Sequence, residues 1–143
     1  MAGGCKARPM AGPTEKPLVF NMIHGISSYV TVSARVTTSW FNQVLDAGIE
    51  IVELFCARQS IDYRNQSQIA EFGHWFRDAP LKVRSVHSPL YSDDCWGGTG
   101  PRATINLAST DRYVRRDSVD EVKRALEIAE YIPFQSENSS VMV

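Results

Sequence analysis

Two residues stand where their chemistry is conspicuous. Glu53 lies inside the apolar run Ile49-Glu50-Ile51-Val52-Glu53-Leu54-Phe55, and His87 closes the segment Leu81 to His87 just before Ser88-Pro89. A carboxylate within an apolar strand is costly unless it is paired or faces a polar cavity. An imidazole exchanges its proton near neutral pH. Each reads as a residue that would line a site. Each also has a plainer reading: Glu53 as a core-edge carboxylate paired with Arg58 or Arg84, and His87 as a structural residue.

Other chemistry-bearing residues carry weaker signals. His24 opens the first apolar segment and reads as structural, while His74 sits beside Trp75 on a helix and reads as a surface or packing residue. Gly97-Gly98-Thr99-Gly100 lacks the Gly-Lys-Ser/Thr ending of a phosphate loop and follows no strand directly, so it reads as a loop. Trp96 in that loop is a candidate for stacking on a substrate. Asp93-Asp94 reads as a solvated turn, and Arg112, Arg115 and Arg116 as a solvated basic cluster, with phosphate contact the alternative. Cys5, Cys56 and Cys95 share no short spacing, so they imply neither a disulfide framework nor a zinc site.

The elements that must position these residues follow from hydrophobic periodicity. Residues 1–17 are rich in Gly, Pro, Ala and charge and read as a disordered leader. Order is expected from Leu18-Val19-Phe20 through a first strand ending near Ser27. Thr37, Thr38 and Ser39 offer caps for a helix carrying Phe41, Val44 and Leu45 on one face, and Gly48 is placed to end it. The run to Phe55 is the second strand. Ser67 offers a cap for a second helix carrying Ile69, Phe72 and Phe76, which Asp78-Ala79-Pro80 stops. Leu81 to His87 is the third strand. Leu90 to Arg116 is expected to be a long loop, and Ser118 with Glu121 has the pattern of a capping box that would begin a third helix. Its apolar positions are Val119, Val122, Ala125, Leu126, Ile128, Ala129 and Ile132, and Pro133 closes it.

This alternation implies α/β architecture with parallel strands and right-handed crossovers. Residues 135–143 read as a polar tail, so the repeat is expected to stop after three β/α units. The net charge of −1 leaves no footprint for nucleic acid. The start has no apolar core of a secretory signal and no run is long enough to span a membrane, so the cytoplasm is the expected location.

Three segments in order carry a family likeness: Gly25-Ile26-Ser27-Ser28-Tyr29, Ala47 to Phe55, and Val86-His87-Ser88-Pro89. Together they resemble the opening strands of the sugar phosphate isomerase/epimerase family, the xylose isomerase-like TIM barrels. The likeness runs from about residue 20 to residue 134. It implies an incomplete (β/α)8 barrel, truncated after its first three units, over residues 18–134. It further implies a small sugar or sugar phosphate substrate and metal-assisted aldose–ketose isomerisation or epimerisation. Glu53 and His87 would be the catalytic groups at the strand ends, and Tyr29 and Trp96 would contact substrate. A divalent metal (Mn, Mg, Co or Zn) belongs to the family, but its ligands come mainly from later strands, so this chain is not expected to bind one. Two other functions remain open at this stage. One is a metal-dependent hydrolase of the endonuclease IV type, and the other is a non-catalytic, partner-binding half-barrel whose open sheet edge pairs with a second copy.

Overall fold

The computed structural model describes residues 23–92 and 103–134, and the backbone of Ser140–Met142. Strand β1 (Gly25–Ser27) runs into a short 3-10 turn, Ser28–Thr31, and is followed by α1 (Thr38–Asp46) and β2 (Ile51–Phe55). Next come α2 (Gln66–Asp78), β3 (Lys82–His87), and α3 (Arg112–Leu126) with a 3-10 extension, Glu127–Glu130. Strand β4 (Ser140–Met142) is last. The strands form one sheet in the order β1-β2-β3-β4, and every pair is parallel. The α/β alternation expected from the sequence is therefore the architecture, and it extends one strand further. Residues 140–142, expected to belong to a polar tail, pair with Ser85, Val86 and His87 instead.

The three helices share one core with one face of the sheet. Val52 and Leu54 from β2 and Val83 and Val86 from β3 meet Phe41 and Val44 of α1 and Ile69, Phe72 and Phe76 of α2 there. Ala125 and Ile128 of the third helical segment and Ile132 just after it complete the core. Phe41 sits at its centre, with ring centroids 5.0 Å from Phe72, 5.1 Å from Trp75 and 4.7 Å from Phe76. Offset and edge-on aromatic pairs at such spacings add to the burial of area itself.

Strand parity decides what lies on the other face. Ser27, Glu53 and Ser85 are register partners across β1, β2 and β3, and Phe55 is paired with His87. Between Val52 and Glu53 the β2–β3 register slips, so that Val52 faces Val83 while Glu53 faces Ser85. Arg84 is the extra residue of this bulge, and it is exposed. A strict two-residue period would send Val83 and Val86 to opposite faces. The bulge puts both valines in the core and leaves Ser85 and His87 beside Glu53 and Phe55.

Helix ends depart from expectation where a better cap was available. Thr37 occupies the cap position of α1 without a side-chain bond. The α2 cap is Asn65, whose side chain accepts the Gln68 amide, and not Ser67, which lies one residue inside the helix. In α3 the cap is Asp111, which accepts from Tyr113 and Val114. Ser118 and Glu121 are buried mid-helix residues, and Arg112, Arg115 and Arg116 belong to the helix rather than preceding it. Gly48 ends α1 with φ of 76°, and nothing lies within 4 Å of where a Cβ would stand. The cost of Gly48→Ala is then purely conformational. Urea unfolding should show a loss of about 1 kcal/mol, and an unchanged midpoint would refute the left-handed cap. Among the described residues, no helix is long and apolar enough to cross a membrane.

Candidate functional site

The site begins with the carboxylate of Glu53. Ser27 Oγ donates to its Oε1 at 2.7 Å, and Ser85 Oγ donates to its Oε2 at 3.1 Å. Neither Arg58 nor Arg84 is its partner; Arg58 pairs with Asp62 instead. A carboxylate offers about four acceptor positions, so the two serines fix its orientation and leave it capacity for further donors. Bonds between a hydroxyl and an ionised acceptor are the stronger kind. This accounts for an acid carried in a strand: a hydroxyl stands on each neighbouring strand at the matching register.

The C-terminal ends of the same strands carry an aromatic row. Phe55 ends β2 and is buried, with its ring centroid 4.7 Å from that of His87 and 4.9 Å from that of Tyr29. Tyr29, in the turn after β1, is 53% exposed and meets Phe55 edge-on. Ser28 is fully buried beneath, where its Oγ accepts the Phe55 amide at 2.8 Å. His87 Nδ1 lies 2.8 Å from the carbonyl oxygen of Ser88. A carbonyl only accepts, so Nδ1 carries the hydrogen, and Nε2 is the nitrogen left for other partners.

Tyr29 and His87 thus both meet the Phe55 ring at the C-terminal ends of the strands, and Glu53 lies two residues before Phe55 on the same strand. Trp96, Asp93-Asp94 and the Gly97–Gly100 loop lie outside the described residues. His24 is an exposed residue just ahead of β1 whose carbonyl receives the amides of Glu50 and Ile51. His74 is exposed on α2. Cys56 directly follows β2 and is buried, and burial pushes its thiol well above the ordinary range. It therefore has no thiolate to offer as a nucleophile.

Sequence reasoning missed Ser27 and Ser85. The signal was available: a carboxylate inside a parallel strand calls for donors on both neighbours, and these are the polar residues at the matching depth. A second group was also missed. Glu121, 5% exposed, accepts from Tyr63 Oη and from Arg64, and Arg124 Nη1 reaches its Oε2 at 3.0 Å. Burial alone would push this carboxyl up, but donation by Arg64 and Tyr63 and the charges of Arg64 and Arg124 outweigh it. The net displacement is below the usual glutamate value. A cleft of about 510 Å³ opens above this group, between the connection after β2 and α3. None of Ser27, Tyr29, Glu53, Ser85 and His87 lines it.

Among the described residues, no three His, Cys, Asp or Glu side chains converge as a metal site. Glu53 and His87 are two donors, fewer than a protein-held catalytic metal requires. Among the described residues these two do not by themselves make a site for a divalent metal.

Fold and site together define an α/β protein with a parallel sheet and a polar, acid-bearing face at the strand ends. Comparison of the chain with protein-family models, curated proteins and solved structures gives no match.

Proposed function

We propose that this chain forms the opening units of a sugar phosphate isomerase/epimerase-type β/α barrel, and that the Glu53 row lines its substrate pocket. The observation that carries the reading is the double serine clamp on Glu53, on the sheet face away from the helices. It presents an oriented acceptor for hydroxyl groups, and the aromatic row beside it offers a surface for the apolar side of a sugar. His87 Nε2 is the group that would take a proton from the hydroxyl-bearing carbon next to a substrate carbonyl and return it to the carbonyl carbon, while Glu53 would carry the hydroxyl proton across to the carbonyl oxygen. A carboxylate and an imidazole in these roles fit enediolate chemistry. In the family, a divalent metal polarises the carbonyl; its donors would lie beyond Glu53 and His87.

The test is a nuclear magnetic resonance titration of the full chain with D-ribulose 5-phosphate. Saturable shifts are expected at Ser27, Tyr29, Glu53, Ser85 and His87. Glu53→Gln should weaken binding about tenfold, the equivalent of one charge-assisted hydrogen bond. An absence of saturable shifts, or shifts confined to the cleft over Glu121, would overturn the reading.

A further inference from the structure

Ser27 does more than hold one carboxylate oxygen. Its hydroxyl donates to Glu53 Oε1 at 2.7 Å and accepts the amide of Tyr29 at 3.2 Å. The three groups form a directional chain from amide to hydroxyl to carboxylate. In such a chain each bond polarises the next, and an ionised end acceptor strengthens the whole more than a neutral one. The amide at its head belongs to the turn that carries the Tyr29 ring. Ser28 pins that turn independently through the Phe55 amide. The second carboxylate oxygen is bound by Ser85, which has no bond to the turn. The two oxygens therefore have different attachments: Oε1 to the Tyr29 turn, Oε2 to β3.

We infer that Ser27 is a positioning residue that couples what engages Glu53 to the hold on the Tyr29 turn. A ligand donor that takes part of the carboxylate's charge weakens its pull on the Ser27 hydroxyl. The Tyr29 amide bond slackens in turn, and the exposed ring gains freedom to settle against that ligand. The consequence for binding rests on the Glu53 row being the substrate pocket. The coupling itself does not, and it can be read without any ligand.

The experiment follows the Tyr29 amide by hydrogen exchange and proton shift in the full chain, with the Leu54 amide as an internal control. Ser27→Ala should speed Tyr29 exchange about threefold or more, the effect of losing one modest hydrogen bond. Ser27→Thr, which keeps the hydroxyl, should restore the wild-type rate, and Ser85→Ala, which removes a competing donor from the carboxylate, should not speed exchange. The deciding variant is Glu53→Gln. It alters neither Ser27 nor Tyr29 themselves, yet the weaker neutral acceptor beside the Ser27 hydroxyl should move the Tyr29 amide signal and speed its exchange about twofold or more. If Glu53→Gln leaves the Tyr29 amide at wild-type values while Leu54 stays protected, Ser27 is only a cap for its turn and the inference falls. Adding D-ribulose 5-phosphate separates the two claims. Coupling without binding sinks the sugar reading alone, and binding without coupling sinks this inference alone.

Discussion

Glu121→Ala should destabilise the protein by about 2–3 kcal/mol in urea unfolding, because it strips the shared acceptor from three donors at once. Breaking a buried charge pair by removing one partner costs about 3–5 kcal/mol. Here the Arg64 and Arg124 side chains are 35% and 49% exposed, and water softens their loss. The Tyr63 hydroxyl, on a residue only 5% exposed, loses the Glu121 carboxylate as an acceptor. The group links the connection after β2 to α3, so the same variant should raise exchange of amides around residues 61–65. A change below about 0.5 kcal/mol would show that the group is a surface pair of the weak kind.

The same carboxyl makes a pH prediction of definite sign. Its folded-state pKa lies below the unfolded value of about 4.3. Its contribution is therefore fully present above about pH 5 and is lost as pH falls through the folded value. Glu121→Gln keeps the shape and removes this titration. The stability gap between wild type and Glu121→Gln should be widest near neutrality and should narrow steadily in acid. A gap that stays constant down to about pH 3 would contradict the assignment.

Gly73→Ala should destabilise by about 2 kcal/mol, against the usual trend for a helix interior, where alanine gains about 1 kcal/mol over glycine. A Cβ at Gly73 would collide with the carbonyl oxygen of Tyr131 and stand 3.0 Å from its carbonyl carbon. Those are backbone atoms, so no rotamer change relieves the clash, and α2 must move from the segment after α3. Forced overpacking of this kind costs about 1–3 kcal/mol. Thermal unfolding checks it: a raised midpoint would mean that α2 and Tyr131 are not in contact.

The strands and helices were legible in the sequence wherever one periodicity held without competition. The β2 run and the Ile69, Phe72, Phe76 face of α2 left little choice. The start of α3 was misread because Ser118-Val119-Asp120-Glu121 has the spacing of a capping box, while Arg112 to Asp117 looks like loop. The helical stripe in fact begins at Val114 and passes through Ser118, Glu121 and Val122. Two of those positions are polar, and their burial depends on Asn106, Tyr63 and Arg64, partners far off in sequence. Strand β4 is three residues long, too short to register as a pattern. The candidate site was half legible for a similar reason. Glu53 and His87 announce themselves by type, whereas Ser27 and Ser85 matter only through a register that tertiary pairing sets.

The bulge at Arg84 gives β3 one residue more than its pairing with β2 uses. The Arg84 side chain is exposed, so many substitutions there would leave both faces of β3 intact. Deleting the residue would leave Val83, Ser85, Val86 and His87 in strict alternation, with both valines still toward the helices and Ser85 and His87 still beside Glu53 and Phe55. Position 84 is thus a spacer that neither face requires. Lineages that vary the letter there and lineages that lose the position would both keep Ser85 against Glu53.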